Sequence, residues 1–367
     1  MTWPIPKFSR SQVNKAGEIL SQDTRSSDFD VDQWLWAFEV LSNWRACHGY
    51  PINTFQATLR HKLRKIDAAA LVAQRLKRTP SILTKLERFS SMNLSRMQDI
   101  GGLRAIVASM PQLKKLHLNY KSSRFTHDLV SEYDYIDSPK PSGYRSIHLV
   151  YKYKSKQASP YNGLHLELQL RTKLQHAWAT AVETVGTFIE HPLKSSEGPD
   201  EWLKFFSLAG SAFSYLEDSP LVPGYESLGK METYIATSAE SKRLGVRNML
   251  MGYSSAIKAI PVGTTRAAYY LVQLNLHDDQ KSVSIRSFAL DQLERANAEY
   301  INAEKRASDG ENIQVVLVAA GSVDSLRRAY PNYFLDTHDF LRHLKRIEKA
   351  ADVVLDTGNP STHRPAR

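Results

Sequence analysis

Four short stretches bring carboxylates, cations and a flat ring together at spacings that suit phosphate chemistry. In Leu166-Glu167-Leu168-Gln169-Leu170-Arg171, polar and apolar residues alternate, so a strand here turns Glu167, Gln169 and Arg171 to one face and the leucines to a core. Such a face can serve as an active-site floor, with Glu167 placed to take a proton from an attacking hydroxyl and to share a Mg²⁺ ion with Asp99. Asp99 begins Asp99-Ile100-Gly101-Gly102-Leu103-Arg104, where a carboxylate and two small residues lead to an arginine on the next strand. That order suits a metal ligand beside a phosphate-binding guanidinium. Further upstream, Arg75 and Lys77 precede a helix start at Ser81, so both cations, the free amides of the helix and Lys85 one turn on can converge on an oligophosphate. The fourth stretch, Pro139-Lys140-Pro141-Ser142-Gly143-Tyr144-Arg145-Ser146-Ile147-His148, predicts a glycine-entered strand. It presents an exposed Tyr144 for stacking on a nucleobase, with Lys140, Arg145 and His148 as donors. Each stretch taken alone has a plainer alternative: a solvated basic helix face, a capping Asp, a tyrosine covering a sheet, or an ordinary Glu and Arg pair on a strand edge.

The elements needed to hold these residues follow from periodicity. Helices are predicted from Ser9 to Leu20, from Asp30 to Ala46 behind an Asp cap, and from Pro51 towards Arg75. Strands are predicted at Leu103 to Val107, Phe125 to Ile136, Arg145 to Tyr153 and Leu164 to Arg171, the last running into a helix from Lys173 to Ile189. The pattern is α+β, with helices packed on a small mixed sheet. An aromatic helix from Glu201 to Leu216 is expected to pack back on that sheet, and Pro220 to Gly229 is the candidate linker. Beyond it a smaller α/β unit is expected: a long helix from Met231 to Ile260, strands at Ala267 to Leu276, Lys281 to Phe288 and Ile313 to Ala319, a helix from Asp291 to Ala307, and short helices from Ser322 and Thr337. The domains are thus 1–219 and 230–356, with a disordered tail over 357–367.

The chain's 367 residues, 42% hydrophobic and 23% charged, are enough for two cores and exclude disorder over most of the length. A net charge of +10 favours polyanionic partners. Nine Lys or Arg fall between Arg60 and Arg88 against two acids, the most concentrated basic run in the chain. The one cysteine, Cys47, excludes an internal disulfide and a cysteine zinc site, and reads as a small core residue. With no signal-like start and no run apolar enough to span a bilayer, a cytoplasmic protein is expected, away from membranes.

In order and spacing, R-x-K-x-x-x-S-I-x-x-K, D-I-x-G-x-R, P-K-x-x-G-Y-R-S-x-H and E-x-Q-x-R-T-x-x-x-H-x-W-A resemble the synthetase domain of the RelA/SpoT alarmone synthetases, over roughly Gln56 to Glu190. The resemblance implies a nucleotidyltransferase-like fold and transfer of the β,γ-pyrophosphate of ATP to a ribose 3′ hydroxyl. It implies that Arg75, Lys77, Lys85 and Arg104 bind ATP phosphates beside Ser81, that Asp99 and Glu167 hold Mg²⁺, and that Tyr144 stacks on the acceptor base. Gln169, Arg171 and His176 would shape the pocket wall. The sequence departs from the family pattern at Thr180, where an acidic residue is common. The His277-Asp278 and His338-Asp339 pairs lack the further histidines of a metal site and read as structural.

The second unit carries Tyr330-Pro331-Asn332-Tyr333, read either as aromatics capping a core or as a mask. The layout resembles the fused toxin–antitoxin proteins called CapRel. That resemblance implies a tRNA 3′ CCA end as acceptor, masking of the ATP site through Tyr330 and Tyr333, and release by a phage capsid protein. The basic run agrees with a tRNA acceptor. Two alternatives stand beside it: a small alarmone synthetase acting on GDP or GTP, and an inactive nucleotide- or RNA-binding module.

Overall fold

The computed structural model describes residues 3–22, 29–77, 79–89, 91–123, 125–189, 191–259, 267–275, 282–311, 313–319 and 333–357. Internal packing divides the chain into two compact units, 1–136 with 146–172, and 137–145 with 173–367.

Five strands of the first unit pair in the order β1-β2-β5-β4-β3: β1 (Leu71–Leu76), β2 (Gly101–Val107), β3 (Asp128–Asp134), β4 (Ile147–Lys152) and β5 (His165–Thr172). The β2–β5 pairing is parallel and the others are antiparallel, giving a mixed sheet. Directly paired residues share a face. The register therefore aligns Arg75, Gly102 and Glu167 in one row, and Arg104, Gln169, His148 and Tyr133 in the next.

The opposite face holds Leu103, Ala105, Leu149, Leu166, Leu168 and Leu170, all buried. It is covered by α3 (Gly49–Leu63) and α5 (Met110–Ser122), with α1 (Arg10–Leu20) and α2 (Val31–Cys47) packed together beside them. Local chemistry sets the helix starts. Ser9 and Gln12 form a reciprocal cap on α1, and Asp30 accepts from the Gln33 amide to cap α2. Cys47 is buried, as expected, and burial pushes its thiol up to about 11.

Gly101 is where this core is tightest. A Cβ there would sit 2.6 Å from Leu166 Cδ2 and 3.2 Å from both His48 Cβ and Ile52 Cγ1, whereas at Gly102 the nearest atom would be 3.8 Å away. The first glycine lets α3 and β5 close on β2, while the second leaves the polar face bare between Arg75 and Glu167.

Two local expectations are overturned in the first unit. The helix from Pro51 does not run on to Arg75. It ends at Leu63, and the Asp67 carboxylate then accepts from the Ala69 and Ala108 amides, turning the chain so that Leu71–Leu76 pairs with β2. The alanine-rich stretch favours helix locally, but the ladder outweighs that preference. The strand expected from Arg145 begins at Ile147, leaving Tyr144 in the loop before it. The basic run is also not one patch. Lys62 is carried by α3 on the apolar side, where it donates to Asn119 and Ser123, while Arg75, Lys77 and Lys85 belong to β1 and the residues that follow it.

The second unit holds α6 (Lys173–Phe188), α7 (Asp200–Glu217), α8 (Lys230–Arg243), α9 (Val246–Ala259) and α11 (Tyr333–Thr357), in which α11 packs against the other four. An antiparallel sheet of β6 (Tyr269–Asn275), β7 (Ser282–Phe288) and β8 (Ile313–Ala319), ordered β7-β6-β8, is backed by α10 (Leu293–Ser308). The helix expected from Met231 to Ile260 is two helices, because Gly245 adopts φ +59 after α8 and ends it. The short helix expected from Thr337 is the 25-residue α11, whose Phe340, Leu344, Ile347 and Ala351 form one buried stripe. His338 is on α11, where neighbouring Asp339 pairs with Arg342 at 2.8 Å. His277-Asp278, the helix from Ser322, Tyr330 and 358–367 lie outside the described residues. Among the described residues no helix is long and apolar enough to cross a membrane.

Candidate active site

The polar face of the five-stranded sheet gathers most of the predicted donor-side residues. Lys77 is set by its backbone, whose N–H donates to Ile100 O at 2.7 Å and whose carbonyl accepts from Arg45 Nε at 2.7 Å. Its ammonium reaches Asp99 at 2.6 Å, and Lys85, from α4 (Thr79–Arg88), reaches the other carboxylate oxygen at 3.0 Å. Burial alone pushes the Asp99 carboxyl up. The two lysine charges and hydrogen bonds outweigh it, so its pKa lies below 3.8 and the group is ionised at neutral pH. Ser81 is exposed in the first turn of α4, and Arg75 is exposed on β1.

Glu167 is held from both sides. His148 Nδ1 lies 2.8 Å from one oxygen, and Gln169 Nε2 donates to the other at 2.7 Å. Burial raises its pKa, the His148 hydrogen bond and charge lower it, Asp99 raises it again and Gln169 lowers it. The net displacement is downward from 4.5. Gln169 also accepts from Arg104 Nε and Arg171 Nη2, each at 3.3 Å. It therefore touches Glu167 as an orienting group and ties it to two guanidiniums. Arg171 is only 2% exposed and donates from Nε to Ser146 Oγ at 3.4 Å, so it lies beneath this face as a support.

Among the described residues no cluster of three or more His, Cys, Asp or Glu comes together. The pair Asp99 and Glu167, near enough for one charge to raise the other's pKa, is nonetheless the kind of donor set that fits Mg²⁺, which takes one or two carboxylates and completes its shell with phosphates and water.

The acceptor-side prediction divides. His148 is on the polar face, while Lys140, Tyr144, Arg145 and His176 belong to the second unit. Tyr144 is not the exposed ring the sequence suggested. It is 9% exposed, edge-on to Trp178 at 6.3 Å between centroids, with the Lys140 ammonium 5.6 Å from its ring. Arg145 is not an available donor. It is 2% exposed, and its Nη1 donates to Glu217 at 2.8 Å and Ser219 Oγ at 3.0 Å. The guanidinium follows the apolar environment that 137–145 enters, where a charge needs a partner. His176 is buried on α6, and Thr180 beside it donates back to the His176 carbonyl at 3.0 Å, so its hydroxyl is used within the helix.

Residues 74–186 match the family described as a region found in RelA / SpoT proteins. This segment is similar to that family. Among relatives, the chain is 35% identical over 125 residues to GTP pyrophosphokinase YjbM of Bacillus subtilis, covering 33% of this chain and 54% of YjbM. It is 29% identical over 153 residues to GTP pyrophosphokinase YwaC of the same organism, covering 41% of this chain and 67% of YwaC. The chain thus spans about half the length of the first of these. Among solved structures, small alarmone synthetase 1 from Bacillus subtilis bound to its product pppGpp shares 26% identity, covering 51% of this chain and 94% of that chain, with a TM-score of 0.42.

Sequence reasoning missed several residues in and beyond the matched segment. Tyr133 and Tyr135 stack at 6.0 Å on the polar face, and Tyr135 meets His148 edge-on at 5.3 Å. Their two-residue spacing before the Pro139-Lys140 motif is a signal that could have found them. Glu217, the partner of Arg145, lies 72 positions on and beyond the matched segment, with no local pattern to mark it.

Proposed function

We propose that the chain is an ATP-dependent pyrophosphokinase that transfers the β,γ-pyrophosphate of ATP to a ribose 3′ hydroxyl. The observation that carries this reading is the polar face itself: Asp99 cradled by Lys77 and Lys85, with Glu167 oriented by His148 and Gln169, inside a RelA/SpoT domain. In the transfer, the acceptor oxygen bonds to the β-phosphorus, the bridge to the α-phosphate breaks, AMP leaves, and the hydroxyl proton passes to Glu167. Lys77, Lys85, Arg75 and Arg104 bind the phosphates, and the two lysines exchange Asp99 for them as ATP enters. Asp99 and Glu167 would hold Mg²⁺, which when bound would neutralise phosphate charge. Positioning and charge do most of the work in this chemistry.

Each acceptor has an observation in its favour. The names of YjbM and YwaC favour a guanosine nucleotide. A tRNA 3′ CCA end is favoured by the net charge of +10, although the basic run that suggested it is divided between two parts of the first unit. With either one, the base stacks on Tyr144 once Lys140 leaves the ring. The C-terminal residues 230–356 are assigned a regulatory role, with Tyr330 and Tyr333 masking the site until a phage capsid protein releases it, in a cytoplasmic protein that works as a growth-arresting defence.

The test is transfer of label from ATP carrying it in the γ-phosphate, with GDP or tRNA as acceptor, in wild type and in the Tyr330→Ala/Tyr333→Ala chain. Label in either acceptor supports pyrophosphate transfer and names the substrate. No label in both chains overturns it, and equal basal rates in the two chains overturn the mask.

A further inference from the structure

We propose that Glu217 is a positioning residue for the acceptor: through Arg145 it holds the loop that presents Tyr144. This rests on the reading of Tyr144 as the ring on which the acceptor base stacks.

Residues 137–145 form a tight turn in which Gly143 N donates to Lys140 O at 2.8 Å and Lys140 N to Tyr144 O at 3.2 Å, with Gly143 at φ +90. The turn is pressed onto α7. Ser207 Oγ donates to Pro141 O at 2.6 Å, and a Cβ on Gly210 would sit 2.6 Å from Gly143 Cα. On its other side, the Trp178 edge meets Tyr144, and Trp178 Nε1 donates to Phe206 O on α7 at 3.0 Å. Contacts from α6 and α7 thus clamp the front of the turn, and the Arg145 side chain anchors its exit.

That anchor is a buried ion pair. Glu217 accepts from Arg145 Nη1 at 2.8 Å and from Gln175 Nε2 of α6 at 3.1 Å, with side-chain exposures of 2% for Arg145 and 8% for Glu217. Among the described residues the second guanidinium nitrogen, Nη2, has no hydrogen-bond partner. A buried pair is seldom the most stabilising choice at such a site, since apolar residues of similar volume often match or exceed it. What the pair supplies is direction: a carboxylate at the end of α7 fixes a guanidinium whose backbone adjoins Tyr144. Sequence neighbours alone could not do this, because α7 lies outside the RelA/SpoT segment that carries the motif.

The test is steady-state transfer by the full-length protein, with GDP and with tRNA as acceptors, comparing wild type, Tyr144→Ala, Glu217→Gln and Arg145→Met/Glu217→Met. The double variant leaves no buried charge alone, so it reports on positioning if Glu217→Gln fails to fold. The expected result is a rise of about ten-fold in acceptor KM for the Glu217 variants, with ATP KM within two-fold of wild type. Wild-type acceptor KM in the folded double variant overturns the proposal, as does an equal rise in both KM values, which marks a merely structural role. If Tyr144→Ala raises acceptor KM and the Glu217 variants do not, the positioning role falls alone. If Tyr144→Ala leaves acceptor KM unchanged, the stacking reading falls, and the positioning role with it.

Discussion

The polar face of the five-stranded sheet and the 137–145 turn both carry arginines and lysines at motif spacing, yet they use them in opposite ways. At the polar face the charges remain within reach of solvent and partner one another: Lys77, just after β1, and Lys85, on α4, both on Asp99, just before β2, with side-chain exposures of 13%, 29% and 20%. In the proposed function those pairs are exchanged for a polyphosphate. In the turn, Arg145 is sealed against a carboxylate at the end of α7 and its charge serves structure. The difference teaches that residue type and spacing nominate a candidate, while exposure and partner decide whether it meets the substrate or braces what does.

The largest expected effect is on the polar face. Glu167→Gln should lower transfer by about 10²–10⁴-fold by removing the proton acceptor. A labelled-ATP rate within ten-fold of wild type would place the base elsewhere. Next, the two arginines should part company in a urea titration. Arg145→Met strands the Glu217 charge and is expected to cost about 3–5 kcal/mol. Arg75→Ala, at an exposed site, should cost less than about 0.5 kcal/mol while raising the KM for ATP. Equal stability losses would erase the contrast between the two arginines.

The two sides of the sheet should also separate by pH. On the apolar side, burial pushes His48 down to about 4, so its folded pKa lies below the ordinary 6.5. Its contribution to stability is fully present above pH 6.5 and is lost as pH falls towards 4, by roughly 3 kcal/mol at most. On the polar side, Asp99 and Glu167 are held below 3.8 and 4.5, so their contribution is intact above those values and is lost only as pH falls beneath them. Urea midpoints of wild type, His48→Gln and Asp99→Asn from pH 7 to 3 would show the two windows, and one shared window would refute the assignment. A last contrast concerns the adjacent glycines. Gly101→Ala should cost about 1–3 kcal/mol through overpacking against Leu166. Gly102→Ala should leave stability unchanged and impair transfer, by adding a methyl group between Arg75 and Glu167. A stable, fully active Gly101→Ala would show that the core there can give.

Much of the polar face could be read in advance. The alternation in Leu166 to Arg171 assigned Glu167 and Gln169 to the face they occupy, because a strand's side-chain period is two whatever the strand packs against. Asp30 announced its helix because capping needs only atoms three residues away. Tyr144 was misjudged as an exposed ring on a strand, since its shelter comes from Trp178 and its cover from Lys140, neither of which follows from its own neighbours in a period-two pattern.

The sequence by itself determined which residues could handle phosphate, on which side of β5 they stand, and that helices would pack on a mixed sheet. These are consequences of local period, capping and side-chain chemistry. Only the tertiary structure decided that Leu71–Leu76 is a strand, that the basic run is divided, and that Arg145 belongs to Glu217. Each depends on groups tens of residues apart being brought within a few ångströms, where burial makes a charge seek a partner that no local pattern records.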